Sequence, residues 1–134
     1  MRITRSGTPT TPGPPDWFTG AVFLDPVSAM DDGSGVSAVT VTFTPGARTA
    51  WHTHPHGQTI LVTHGVGRCQ RRGGPVEEIH PGDRVFFEPG EDHWHGAAPG
   101  TLMTHVAVAV ADETGAAVTW GPHVTDAEYA GDRS

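Results

Sequence analysis

The sequence predicts an all-β fold in which short strands close into an antiparallel sandwich or barrel of the jelly-roll kind. The chain has 134 residues, and 18 of them are glycine and 12 are proline. Short stretches with strand-like patterns recur between these residues, which is typical of such folds. A parallel sheet would need crossover helices, and no long helical pattern is found. A chain of this length has room for one core, so we assign residues 1–134 to a single domain.

The first third of the chain predicts an arm, two strands and a turn. Residues 1–15 predict an irregular arm because its four prolines cannot donate ladder hydrogen bonds. Residues 17–24 predict a first strand, and the composition of residues 31–35 predicts a turn. Residues 36–44 alternate, with Val39, Val41 and Phe43 on one face, so they predict a half-buried strand.

Gly or Pro residues mark the ends of the strands predicted in the rest of the chain. Pro45 and Gly46 end the strand 36–44, and Pro55 ends the next one. The further predicted strands are residues 50–54, 58–64, 66–72, 76–80, 84–88, 92–96 and 101–110. Residues 124–130 predict one helical turn.

The composition excludes several classes of function. The net charge is −7 and no basic stripe is present, so we expect no nucleic-acid partner. The chain has no lysine, which excludes Schiff-base chemistry, and its one cysteine, Cys69, excludes an internal disulfide. No apolar run approaches the roughly 18 residues of a membrane span, and residues 1–15 lack the apolar segment of a signal peptide. We therefore expect a cytoplasmic protein without a membrane partner.

Several of the nine histidines are placed where they could converge on a divalent metal. His52 and His54 lie two residues apart in a predicted strand, so their side chains share a face. The break at Pro55 lets the strand that begins at Gln58 double back beside them, and His93 follows a later turn. Imidazole suits Mn, Fe, Co, Ni, Cu and Zn. A His-x-His pair alone is weak evidence, because buried histidines also occur as ordinary core residues.

Two sets of residues resemble the two cupin motifs. They are Gly46-x5-His52-x-His54-x3-Gln58-x6-Gly65, and Gly82-Asp83-Arg84-Val85 followed by Pro89-Gly90-x2-His93. Most cupins carry glutamate at the position of Gln58. The second motif also departs from the family, because Glu88 replaces its proline and Ala97 replaces its closing asparagine. The resemblance covers residues 36–110 and implies a cupin double-stranded β-helix, a jelly-roll barrel with a metal inside.

A closer resemblance, to bacterial manganese cupins with (R)-hydroxynitrile lyase activity, extends over nearly the whole chain. It is carried by residues 50–55, 57–59, 76–83, 93–96 and 103–105, with further matches at residues 16–20 and 123–126. It implies that a divalent metal ion is held by His52, His54, Gln58 and His93. Manganese is the expected ion, and iron, zinc and nickel are alternatives. A small-molecule substrate is implied as well, and we expect a homodimer or homotetramer because small cupins commonly pair their sheets.

Four neutral ligands would leave the full charge of the ion uncompensated, which makes it a strong Lewis acid. A proton acceptor must then come from elsewhere, and His105 and His95 are the candidates. His105 shares a predicted strand face with the small residues Ala107 and Ala109, and His95 shares the face of His93. Either could instead be a core residue. His64 is predicted to lie on the same strand face as Gln58, but it is at the end of the strand. It could therefore lie either at the rim of the pocket or on the surface.

Three functions are compatible with this pattern. The first is a metal-dependent lyase of the hydroxynitrile lyase type, which cleaves a cyanohydrin reversibly to an aldehyde and HCN with a pocket histidine as base. The second is an Mn- or Fe-dependent dioxygenase that cleaves C=C bonds. The third is a non-catalytic cupin that binds a small ligand. The resemblance favours the lyase.

Overall fold

The computed structural model describes residues 1–28 and 32–131, and its regular structure is almost entirely strand. The elements are β1 (Thr11–Pro12), β2 (Phe18–Thr19), β3 (Val22–Ser28), β4 (Val36–Phe43), β5 (Arg48–Thr49), β6 (His52–Thr53), β7 (Gln58–Gly65), β8 (Gly67–Arg71), β9 (Glu77–Ile79), β10 (Arg84–Phe87), β11 (His93–Ala97), β12 (Met103–Val110), β13 (Thr119–Trp120) and α1 (Asp126–Ala130). The strand pairings within these residues are all antiparallel. The prediction of an all-β antiparallel fold is therefore confirmed.

Two sheets form the barrel. The first has the order β1-β3-β4-β12-β7-β10, and the second has the order β13-β6-β11-β5-β2 with β8 joined to β11 and β9 joined to β8. Apolar side chains from both sheets meet in one core, which includes Phe43, Ile60 and Met103 from the first sheet and Cys69 and Ala97 from the second. The core fills the space between the sheets, so inward-facing polar residues are enclosed with it.

Strand β12 shows how the alternation of residues places side chains inside the barrel. Met103, His105, Ala107 and Ala109 are buried, while Val108 and Val110 on the other face are 37% and 44% exposed. Successive side chains of a strand point to opposite faces, so the sequence pattern alone placed His105 inward. The structure agrees with that placement.

The N-terminal region differs from the prediction in two ways. The single strand predicted at residues 17–24 is divided into β2 and β3, which belong to different sheets. The break is at Gly20, where φ is +82° and an added Cβ would lie 2.9 Å from that of Ala47. Within the predicted irregular arm, Thr11–Pro12 forms the edge strand β1 against β3. Proline is tolerated there because an edge strand leaves one side of its backbone unpaired.

The other boundaries differ less. The strand predicted at residues 50–54 is replaced by β5 and β6, and β13 was not predicted. Of the turn predicted at residues 31–35, residue 31 lies outside the described residues, and residues 32–35 form no strand. No helix among the described residues is both long and apolar enough to cross a membrane.

The predicted helical turn is α1, and it covers the outside of the second sheet. Thr125 and Glu128 form a capping box at its start, and Gly131 ends it in the left-handed conformation. Tyr129 of the helix and Val124 pack against the indoles of Trp51 and Trp94, which are almost completely buried. These two tryptophans therefore form part of the barrel wall on the side away from the site.

Candidate metal centre

The histidines singled out from the sequence meet between the two sheets. His52 in β6 and His93 in β11 are direct cross-strand partners, and their ring centroids lie 4.2 Å apart. The ring of His54, just after β6, lies 5.0 Å from that of His52. Gln58 begins β7 in the opposite sheet, and its Oε1 lies 3.3 Å from Nε2 of His93. The structure thus brings together all four residues that the resemblance implies as ligands.

A backbone carbonyl fixes the tautomer of each of these three histidines. Nδ1–H of His52 donates to the oxygen of Ala50 at 2.9 Å, and that of His93 donates to the oxygen of Glu91 at 2.8 Å. His54 donates in the same way to Ala117 at 2.6 Å. Because Nδ1 carries the proton, Nε2 of each ring keeps its lone pair. This arrangement is common for histidines that bind metals.

Burial keeps these rings neutral. It lowers the pKa of His93 to about 3, and it lowers the pKa of His54 below its ordinary value. Burial and the neighbouring His93 lower the pKa of His52 strongly. Desolvation disfavours the charged imidazolium, so the lone pairs remain available at neutral pH. Neutral imidazole is the form that binds metal ions.

The donor set fits a divalent metal ion. Nε2 of His93 is unprotonated, and it faces Gln58 Oε1, which is also an acceptor, so no hydrogen bond joins the two atoms at 3.3 Å. Ligand atoms about 2.1 Å from one ion at ordinary angles stand about 3.0 to 3.4 Å apart. Nε2 of His54 is also buried and has no hydrogen-bond partner among the described residues. A bound cation would satisfy both of the facing acceptors.

His95 lies close to the same point and gives the site a second possible ligand set. Donor atoms of His52, His93 and His95 all lie within 4.8 Å of one another, so these three buried histidines could hold a metal ion. Nε2 of His95 is 3.2 Å from Gln58 Oε1. In contrast to the other three rings, His95 has no hydrogen bond to a backbone carbonyl among the described contacts, so its tautomer is not fixed in the same way.

A chain of polar contacts inside the barrel joins Gln58 to His95 and His95 to His105. If His95 donates its Nε2–H to Gln58 Oε1, its Nδ1 accepts the Nε2–H of His105 at 2.8 Å. Nδ1 of His105 is then an unprotonated acceptor, and it is buried without a partner in the described part of the chain. Burial lowers the pKa of His105 to about 4 and that of His95 strongly, so both are neutral bases.

Three aromatic side chains that were not predicted to belong to the site surround these groups. Phe87 stacks on His93 with ring centroids 3.7 Å apart, and the ring of Phe43 lies 5.3 Å from His105. Trp120 in β13 lies 4.8 Å from His52. The alternation of residues in their strands predicts that both phenylalanines point into the barrel. Trp120 could not be found in this way because β13 has only two residues.

The remaining histidines lie outside the site. His64 is exposed because β7 contains an irregularity opposite Thr104 and His105, where His64 pairs with Thr104 and Val62 pairs with His105. The extra residue turns His64 to the strand face opposite to that of Gln58, so a role at the pocket rim is not supported. His56, His80 and His123 are exposed as well.

Comparisons with known proteins agree with this architecture. The family model of the cupin domain matches residues 39–110. The chain is 58% identical over 130 residues to a protein of Granulicella tundricola named (R)-mandelonitrile lyase. The matched region covers 96% of this chain and 98% of that protein. The crystal structure of a cupin-like protein from Thermotoga maritima superposes with a TM-score of 0.86 and 34% identity over 97% of this chain and 98% of that one. A cupin 2 conserved barrel domain protein from Rhodopseudomonas palustris has a TM-score of 0.68 at 21% identity, over 79% of this chain and 73% of that one.

Proposed function

This chain belongs to the cupin family, and we propose that it is a metal-dependent lyase that cleaves cyanohydrins reversibly to an aldehyde and HCN. Its similarity to a protein named (R)-mandelonitrile lyase supports the substrate class. The structural observation that carries the proposal is the unpartnered Nδ1 of His105, a neutral base enclosed beside a cluster of donors that could hold a metal ion. Cyanohydrin cleavage needs a base for the hydroxyl proton, and a cation beside that base would stabilise the leaving cyanide.

We propose that His52, His54, Gln58 and His93 hold the metal, with manganese as the expected ion. The shared Nδ1–carbonyl hydrogen bonds of the three histidines favour this set over one that contains His95. Gln58 Oε1 would then also accept the hydrogen bond of His95 Nε2, which orients the amide. A divalent ion bound by neutral donors supplies uncompensated positive charge that stabilises negative charge developing on a substrate oxygen or on cyanide.

The chain's own residues would move the proton. His105 Nδ1 accepts the proton of the cyanohydrin hydroxyl, the bond between the carbinol carbon and the nitrile carbon breaks, and the oxygen becomes the carbonyl of the aldehyde. The leaving cyanide takes the proton from His105 and departs as HCN. His95 holds the other nitrogen of His105 in place throughout. The reverse reaction uses the same groups in the opposite order.

The surrounding aromatic rings would keep bulk water away from these steps. His105 and His93 are completely buried, with Phe43 against the first and Phe87 stacked on the second. In such a dry site the interaction between the ion and developing charge is screened less than in water.

An assay of purified protein tests the proposal. Protein loaded with Mn²⁺ should release benzaldehyde and HCN from mandelonitrile at acidic pH, while protein stripped with EDTA should not. Metal content is measured on the same samples by elemental analysis. Activity that is independent of metal would contradict the proposal. Consumption of dioxygen with an alkene or enol, in place of cyanohydrin cleavage, would assign the alternative dioxygenase function.

We also propose that two copies pair through the outer face of the first sheet. Leu61, Phe86, Val108 and Val110 lie on this face and are 37–54% exposed. One cross-strand row on it runs from Arg84 in β10 through Leu61, Val106 and Thr40 to Asp25 in β3. A two-fold axis through the middle of this row would set Arg84 of each copy against Asp25 of the other. Apolar contact and opposite charges therefore both favour a second copy of this chain as the partner.

A further inference from the structure

The two carbonyls that orient His52 and His54 come from distant parts of the chain. The oxygen of Ala50, just before β6, accepts a hydrogen bond from His52 Nδ1. The oxygen of Ala117, just before β13, accepts a hydrogen bond from His54 Nδ1. The pair can present both Nε2 atoms to one ion only while these two segments keep their positions relative to β6.

A single residue near the N-terminus contacts both segments. The backbone oxygen of Trp17 accepts a hydrogen bond from the backbone nitrogen of Ala50 at 2.8 Å. The indole of Trp17 stacks on that of Trp120, with ring centroids 5.2 Å apart and planes inclined by 8°. Trp120 lies three residues after Ala117 and is the cross-strand partner of His52. Trp17 is 40% exposed, so it contributes little to the core itself.

Trp120 also covers one side of the histidine pair. Because cross-strand partners project from the same face of a sheet, Trp120 stands beside His52, and its ring lies 4.8 Å from the imidazole. The indole of Trp17 stacks on that of Trp120 and limits its movement. Loss of that stacking partner would let Trp120 and the backbone that leads to Ala117 move more freely.

We propose that Trp17 is a positioning residue for the His52–His54 pair: it holds Trp120 over His52 and the Ala117 carbonyl against His54, and thereby strengthens metal binding. This inference rests on the proposed metal site. It assigns to a partly exposed tryptophan an effect on two ligands that its side chain does not touch.

Substitution of Trp17 separates the stacking from the backbone contact. Trp17→Ala removes the indole but keeps the carbonyl that accepts the hydrogen bond of Ala50. Aromatic pairs contribute about 0.5–1.5 kcal/mol, so the dissociation constant for Mn²⁺ should rise about 3- to 10-fold, together with the dissociation rate. Trp17→Phe retains a stacking ring and should restore values close to those of the unchanged protein. Leu102→Ala is the matched control, because Leu102 is 46% exposed and lies outside the strands.

Competition between the protein and a chromophoric chelator for Mn²⁺ measures the affinity, and release of Mn²⁺ into excess EDTA measures the dissociation rate. The melting temperature of each metal-free variant is measured as well. Weaker and faster-releasing metal in Trp17→Ala, but not in Trp17→Phe or Leu102→Ala, supports the inference. If Trp17→Ala lowers the melting temperature while the affinity and release rate stay unchanged, its role is only structural and the inference is wrong. If the unchanged protein binds no Mn²⁺, the proposed metal site fails, and the inference fails with it.

Discussion

Nε2 of His93 and Oε1 of Gln58 face each other at 3.3 Å as two acceptors, with no proton between them. A bound cation would satisfy both atoms, and for Nε2 of His93 it would remove the cost of a buried acceptor without a partner, which is about 1–3 kcal/mol. The amide at this position also sets the charge of the site. A carboxylate would neutralise half of a divalent ion's charge, whereas the amide neutralises none.

Gln58→Glu tests that difference in charge. The variant should bind Mn²⁺ about tenfold or more tightly, because the carboxylate adds a direct electrostatic attraction. Its mandelonitrile cleavage should be slower by about tenfold or more, since the ion becomes a weaker Lewis acid. Chelator competition and steady-state kinetics measure the two effects. Equal affinity in both proteins would show that residue 58 is not a ligand.

His105→Gln tests the proton acceptor. Removal of a general base should lower kcat by about 10²- to 10³-fold. Manganese content should not change, because His105 contacts His95 and not the three histidines proposed as ligands with Gln58. His64→Gln is the matched control, since His64 is exposed on the outside of the barrel. A His105→Gln enzyme with undiminished kcat would remove this residue from the mechanism.

His54→Ala and His95→Ala distinguish the two possible ligand sets. If His52, His54, Gln58 and His93 hold the ion, His54→Ala loses most of its bound manganese while His95→Ala retains it with lower activity. Elemental analysis after gel filtration measures the content. Retention of metal in His54→Ala with loss in His95→Ala would instead assign the ion to His52, His93 and His95, whose donor atoms already lie within 4.8 Å.

The metal-free protein should lose stability as the pH falls. Burial lowers the pKa of His105 from 6.5 to about 4, so the unfolded state binds more protons than the folded state between these values. Stability is therefore highest above pH 6.5 and declines as the pH falls toward 4. From pH 7 to pH 5 this residue alone should lower the free energy of unfolding by about 2 kcal/mol.

Urea unfolding of metal-free protein at pH 7 and pH 5 measures this loss. His105→Gln should lose about 2 kcal/mol less than the unchanged protein over the same interval, because it lacks the titrating group. An identical pH dependence in both proteins would mean that His105 does not have a lowered pKa in the folded state.

Phe86→Glu tests the proposed pairing of two copies. Phe86 is 54% exposed on the outer face of the first sheet, so a carboxylate there would be buried in the interface at a high energetic cost. Multi-angle light scattering should give a dimer or a tetramer for the unchanged protein and a smaller species for the variant. Leu102→Glu, at a residue that is 46% exposed but lies outside the strands of that face, should keep the oligomeric state. A monomeric unchanged protein would contradict the proposal.

Much of the fold could be predicted from local sequence because strands leave a period of two and turns need Gly or Pro. Strands β4, β7, β10 and β12 agree with their predicted positions to within two residues at each end. The inward placement of His105 follows from the same alternation. The short strands β1, β5, β6 and β13 were missed or displaced, since two residues are too few to show a period.

The sequence by itself determined which side chains could bind a metal, because the spacing of His52, His54, Gln58 and His93 is a local property that also carries the cupin resemblance. Only the tertiary structure decided how those side chains are held and which neighbours they have. The irregularity in β7 turns His64 outward, Ala117 reaches His54 from sixty-three residues away, and His95 joins Gln58 to His105. Each of these contacts depends on the register between segments distant in the chain. Register is set by the packing of the whole barrel, and no short stretch of sequence contains it.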